Sequence, residues 1–238
     1  MSLNTADVQT TRWSAFPTGA KHHEVWNDFV DAAGPGITST PIANGTVSHV
    51  ADLANGVVRL ANNGSDDDSG AQLQGSMESI ALATSKETWA ECRLALSDAT
   101  QSSLFVGLSV TDASIQHAST DTLAAGLTCT DAIGVYKPDG EATLYGVVRR
   151  DSIQASTGSL GSLSDATYHV LGVRVSMTAS AGAGTAYFYL DGVLLGQIFS
   201  TTMPYSAEEV LALSVAWKSG AAAAKTCDVD YLGALVER

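Results

Sequence analysis

The sequence predicts an all-β protein folded as a two-sheet antiparallel sandwich. Apolar residues recur with period 2 rather than 3.6, clusters of turn-forming residues punctuate the chain, and no segment sustains a helical pattern. In 88–96 (TWAECRLAL), Ala90, Cys92, Leu94 and Leu96 fall on one face, and Trp89, Glu91 and Arg93 on the other. In 103–110 (SLFVGLSV), the inward set is Leu104, Val106, Leu108 and Val110. In 168–177 (YHVLGVRVSM), Leu171, Val173, Val175 and Met177 point in while Arg174 and Ser176 point out. Strands buried on one face and wet on the other read this way.

In chain order, further strands are expected at 47–53, 57–62, 71–74, 132–136, 142–149, 185–190, 193–199, 210–217 and 227–236. Between them lie the turn clusters ANNGSDDDSG, KPDG, STGSLGSLSD, SAGAG and KSGAAAAK. In AYFYLDGVLLGQIF, Asp191-Gly192 separates two β-rich runs at two-residue spacing, which suits the positive φ angles of a type I′ hairpin turn. KPDG at 137–140 reads as a second hairpin turn. Helix signals are confined to a capping-box spacing at Ser206 and Glu209 and a short surface helix at 117–125. The alternation places Leu94, Val106, Leu108, Leu171, Val173, Phe188 and Leu213 between the sheets.

The chain has 238 residues, 45% of them hydrophobic and 16% charged, and a formal net charge of −13. That balance argues against nucleic acid, whose phosphates call for a basic surface, and against an anionic membrane. No apolar run approaches the ~20 residues that span a bilayer. The N-terminal MSLNTADVQTTRW has neither the basic region nor the apolar stretch of a secretory signal. Cys92, Cys129 and Cys227 are too few and too scattered for a disulfide framework or zinc knuckle, and read as buried thiols. Residues 1–24 are polar and turn-broken and are expected to form an extended arm before a single domain at 25–238. Within the arm, Arg12, Trp13, Phe16 and Pro17 (RWSAFP) are the candidate interaction residues. Aromatic groups in a polar segment serve as anchors on a neighbouring subunit, or fold back onto their own domain.

Candidate chemistry is sparse. NNGSDDDSGAQLQG at 62–75 holds Asp66, Asp67 and Asp68 in succession, but counting from Asn63 or from Asp66 gives neither the glycine nor the glutamate of a calcium loop. A polar turn that needs no cation is expected, and the sequence implies no metal, organic cofactor or catalytic set. Glycoside hydrolysis needs two carboxylates facing each other across the scissile bond. Glu87 and Glu91 share a strand face with Trp89 between them, and read as a solvated face. No G-x-S-x-G nucleophile elbow occurs, and His22, His23, His49, His117 and His169 belong to no catalytic pattern. Trp89 and Trp217 are the candidates for an aromatic sugar platform.

Three stretches carry a resemblance: ETWAECRLALSDATQSSLFVGLSVTD, TDAIGVYKPDGEATLYGVVRRDS and ATYHVLGVRVSMTASAGAGTAYFYLDGVLLGQI. They resemble the concanavalin A-like jelly-roll domains of tailed-phage virion proteins, and the closing CDVDYLGALVER is similar to that group's last strand. The likeness covers about residues 70–238. It implies a concanavalin A-like jelly roll whose first strand, near 25–30, lies beside the last. The function implied is a non-enzymatic virion protein that decorates or cements the outer capsid surface. Its partners would be the major capsid protein or other virion proteins, in a homo-oligomer expected to be a trimer. A glycan-binding module of a virion fibre or of a secreted protein is the alternative.

Overall fold

The computed structural model describes residues 22–29, 36–50, 56–116, 119, 122–204 and 209–237. Arg12, Trp13, Phe16 and Pro17 lie outside these residues. Among them, fifteen strands form two antiparallel sheets and no α-helix occurs. In chain order they are β1 (His22–Asn27), β2 (Ile37–Ile42), β3 (Thr46–His49), β4 (Val58–Ala61), β5 (Gly70–Gly75), β6 (Glu87–Leu96), β7 (Ser102–Ser109) and β8 (Ala132–Lys137). They continue with β9 (Thr143–Arg150), β10 (Ile153–Ser162), β11 (Tyr168–Met177), β12 (Gly184–Leu190), β13 (Val193–Ser200), β14 (Ala212–Ser219) and β15 (Thr226–Glu237).

One sheet has eight strands in the order β13-β12-β11-β6-β15-β4-β3, with β1 also on β15. The other has seven, in the order β10-β9-β8-β7-β14-β5-β2. β1 pairs antiparallel with β15 from His22 opposite Glu237 to Asn27 opposite Leu232, so first and last strands are neighbours as the resemblance implies. Residues 22–24, assigned by the sequence to the arm, are already strand.

The period-2 alternation is realised as a core between the sheets. All seven residues placed there from the sequence, Leu94, Val106, Leu108, Leu171, Val173, Phe188 and Leu213, are buried in one cluster. The sheets approach closely where the Phe188 ring lies on Gly146, at which a Cβ would stand 2.3 Å from a ring carbon. Trp217 is also in this core, wholly buried, and its indole N–H donates to Ser102 Oγ at 3.1 Å. It is therefore no sugar platform.

The structure differs from the expectations at both edges of the seven-stranded sheet. The first seven residues of STGSLGSLSD are not a turn but most of β10, a ten-residue edge strand in which Leu160 is the one buried residue. Its mostly polar, exposed side chains give no alternation to read. β2, ITSTPI, is the opposite edge of the same sheet and was missed for the same reason. Of the 117–125 segment, residues 117, 118, 120 and 121 lie outside the described residues, and 122–125 form a turn, with the Ala125 and Gly126 amides both donating to Thr122 O. The capping-box serine, Ser206, lies outside the described residues.

Candidate functional site

β5 is where the opening stretch of polar residues becomes structural. Ala71 and Leu73 face the core, so Gln72 and Gln74 face away from it, yet both are buried. The connection between β7 and β8 lies over them. Gln72 Nε2 donates to Asp112 O at 2.5 Å while its Oε1 accepts the Ile115 amide at 3.0 Å. Gln74 Nε2 lies within bonding distance of Ser109 Oγ, Val110 O and Ser214 Oγ, and its Oε1 accepts the Asp112 amide. Gln116 Nε2 reaches Ala216 O at 3.2 Å. Around these bonds Ile115, Leu127 and Cys129 pack on Phe105, Ala132, Tyr136, Val147 and Ala216, a second apolar cluster on the outer side of the seven-stranded sheet. The chain's own connection occupies that face.

At one end of the same sheet, three connections leave a cleft of about 480 Å³ lined by Asp67, Asp68, Ser119, Thr122, Leu123, Pro138, Asp139 and Glu141. The three adjacent aspartates each turn to a different partner. Asp66 Oδ2 accepts from Asn44 Nδ2 and from Asn63 Nδ2, both at 2.6 Å. The Asn44 bond first, then the Asn63 bond, hold its carboxyl below the usual aspartate range. Asp67 Oδ1 accepts the Asp68 amide at 3.0 Å. Asp68, with φ +63°, accepts from the wholly buried Lys218 Nζ at 2.8 Å. Among the described residues, no group of three or more His, Cys, Asp or Glu side chains is arranged to hold a metal ion.

Asp139 is the chemically distinctive wall of the cleft. Its Oδ1 is buried without a hydrogen-bond partner, packed where Gly220 leaves room for it. Desolvation lifts its carboxyl above the usual range and Asp67 and Asp68 add to it, against the Gly140 amide bond and the Lys137 charge, which pull it down. Lys137 itself is buried under the turn, donating to Pro138 O and Glu141 O. The rim offers carboxylate oxygens and two hydroxyl residues beside Leu123 and Pro138, a surface that accepts hydrogen bonds from a neutral polyhydroxyl ligand or a cationic group.

The outer face of the eight-stranded sheet carries interleaved aromatic and ionic side chains. Glu87 and Glu91, expected on a solvated face, are built into it. Arg174 holds Glu87 through two bonds, at 2.5 and 3.1 Å, and Glu91 accepts from Tyr231 Oη at 2.7 Å. Arg59 pairs with Asp228 through two bonds of 2.7 Å, and Arg93 pairs with Asp230. Trp89 is buried here, 5.1 Å from the Tyr189 ring and under Arg174. Among the described residues the exposed indole is instead Trp26, 40% exposed and stacked on Tyr231 at 4.6 Å. Its visibility in the sequence was poor because Trp26 lies in a short polar strand, HHEVWN. His169 is structural: Nε2 accepts the Ser164 amide, so Nδ1 carries the proton donated to Asp191 at 2.8 Å.

The architecture is that of the concanavalin A-like jelly rolls, two antiparallel sheets face to face. No protein-family model and no curated protein sequence matches the chain. Solved structures match across nearly its whole length. Peanut lectin is 13% identical with a TM-score of 0.58, covering 91% of this chain and 98% of its own. The endo-1,3-beta-glucanase of Streptomyces sioyaensis is 11% identical with a TM-score of 0.57, covering 94% and 98%. The CBM2 module of the evolved Dit of Lactobacillus casei BL23 phage J-1 is 10% identical with a TM-score of 0.55, covering 92% and 98%. At these identities the likeness is one of fold, shared by lectins and enzymes alike.

Proposed function

We propose that this chain is a non-enzymatic structural protein of a tailed-phage particle, a rigid jelly roll on the outer capsid surface that docks on other virion proteins. The observation that carries this reading is the outer face of the seven-stranded sheet. A broad sheet face is a natural bed for an extended substrate, and here Gln72, Gln74 and Gln116 tie the chain's own β7–β8 connection across it. The polar groups that would otherwise meet a ligand are spent on internal bonds, which makes a stiff body. The resemblance of 70–238 to phage jelly rolls and the fold likeness to a phage J-1 module point the same way. A net charge of −13 suits a position outside a DNA-filled shell, because like charges keep the protein off nucleic acid. Mixing the purified chain with capsids lacking it and sedimenting them tests the reading. Saturable co-sedimentation supports it, and a chain that stays in the supernatant at all concentrations refutes it.

A second reading, glycan binding, is favoured by the acidic cleft, whose carboxylates and hydroxyls suit sugar hydroxyl donors. A glycan array decides it. Binding that is lost in Asp139→Asn or Glu141→Gln would place the ligand in this cleft.

A further inference from the structure

We propose that RWSAFP, residues 12–17, folds back on its own chain and docks at Trp26 on the outer face of the eight-stranded sheet, with Arg12 meeting the carboxylates beside that indole. The receiving surface is fixed in place. Trp26 sits on Gly233, where a Cβ would stand 2.3 Å from the ring's Cε3. It stacks on Tyr231, whose hydroxyl donates to the buried Glu91. Held in this way, the indole is still 40% exposed.

Acidic groups border it. β1 alternates, with His22, Glu24 and Trp26 on its more exposed side and His23, Val25 and Asn27 on the other. Asp28 follows β1, and Asp230 precedes Tyr231 with its Oδ2 engaged by Arg93. Burial first, then the charge of Asp230, raises the Asp28 carboxyl above its usual range, and no basic group among the described residues opposes that shift. A cation placed beside Asp28 would offset the crowding.

Charge and length single out the occupant. Residues 12–21 (RWSAFPTGAK) carry Arg12 and Lys21 and no acidic residue, in a chain with 12 basic and 25 acidic groups. Pro17 and Gly19 are turn formers. A reversal within 17–20 lays 12–16 back along 21–25, with Trp13 level with Glu24 and Arg12 level with Val25. Both then lie one or two positions from Trp26, within about 7 Å at the rise of a strand. The long arginine stem carries its guanidinium on toward Asp28. Tethering favours this segment over a separate protein, because a short flexible link holds it at an effective concentration of about millimolar. The docking goes beyond both functional readings and depends on neither.

The test is trypsin cleavage of the full chain after Arg12, followed by mass. A docked segment is cut only when it opens, so the rate follows the open population. Trp26→Ala should speed the cut about tenfold, the worth of one aromatic contact, with an unchanged circular dichroism spectrum. Asp28→Asn, which keeps the indole, should speed it as well, and Asp67→Asn in the cleft should leave it unchanged. Trp13→Ala changes only the docking segment, and hydrogen exchange at 22–28 should rise in it. Protection of the wild-type chain should be the same across micromolar protein concentrations. A wild-type chain cut as fast as Trp26→Ala and Asp28→Asn overturns the proposal, as does unchanged exchange at 22–28 in Trp13→Ala. Protection that grows with protein concentration also overturns it, since the segment would then sit on a second copy.

Discussion

Lys218 Nζ donates to Asp68 Oδ1 at 2.8 Å, with the lysine side chain wholly buried and the aspartate about three-quarters buried. The pair ties the β4–β5 connection to β14 and turns the densest acidic stretch of the chain into part of the fold. Asp68 has φ +63°, a conformation that asparagine also tolerates, so Asp68→Asn removes the charge without a backbone penalty. It leaves a buried ammonium short of its carboxylate, at a cost of about 1–3 kcal/mol. Thermal denaturation should show the Asp68→Asn midpoint several degrees below wild type. Asp67→Asn, whose carboxylate accepts only a local amide in a turn, should change stability by less than about 0.5 kcal/mol. Equal effects of the two substitutions would contradict the assignment.

Asp139 gives a pH dependence of opposite sign to that of a paired carboxylate. Desolvation, reinforced by Asp67 and Asp68, raises its folded value above the ordinary 3.8. A carboxyl raised on folding favours the folded state while protonated in both states, and that contribution is lost as pH rises through the folded value. At pH 7 the ionised group therefore costs stability. Asp139→Asn should melt about 1–2 °C above wild type at neutral pH, a small gain because solvent reaches part of the group. The gain should vanish as pH falls toward 3.8. A variant less stable than wild type at pH 7 would show that the carboxylate is satisfied.

The strands that face one side to the core were legible, because a period of 2 survives wherever Leu, Val and Phe alternate with polar residues, as in β6, β7 and β11. β10 was not, because an edge strand packed by one leucine needs no alternation. The burial of Gln72 and Gln74 has no local signature, since nothing nearby in the sequence says that a connection forty residues downstream will cover them. The acidic cleft was illegible for the same reason. Its walls come from Asp67 and Asp68, from Ser119, Thr122 and Leu123, and from Pro138, Asp139 and Glu141, and only the order of strands β5, β14, β7 and β8 brings these connections to one end of the sheet.

Two of the hairpin turns show how turn chemistry governs legibility. Asp191-Gly192, with φ angles of +51° and +79°, joins the paired residues Leu190 and Val193, as the sequence predicts. Asp151-Ser152 does the same between Arg150 and Ile153 with φ +49° and +66°, but without a glycine to announce it. A serine held at positive φ is strained by about 1–2 kcal/mol, partly offset for glycine by its greater chain entropy. Ser152→Gly should therefore stabilise the chain by about 0.5–1 kcal/mol and raise the midpoint by about 1–4 °C. The Ser152 amide keeps its bond to Thr130 O in the variant. A lower melting point would mean that the Ser152 side chain contributes more than its backbone strain costs.

Gly134 tests how tightly the covered face is built. It lies opposite Gly107 in the β7–β8 ladder, beneath the Phe105 ring. A Cβ at Gly134 would stand 2.2 Å from the backbone oxygen of Val106 and 3.0 Å from both Gly107 Cα and Phe105 Cε2. The oxygen belongs to a strand interior and cannot swing aside, so the ladder itself must move. Gly134→Ala is expected to cost about 1–3 kcal/mol, the usual range for overpacking a filled interior. The strain should also reach the second apolar cluster, because Phe105 packs there with Ile115 and Leu127. Hydrogen exchange should then rise at the Ile115 amide, which Gln72 holds, more than at the Ala186 amide in the opposite sheet. Unchanged stability and exchange would mean that the face has slack, and would remove the rigidity on which the structural reading rests.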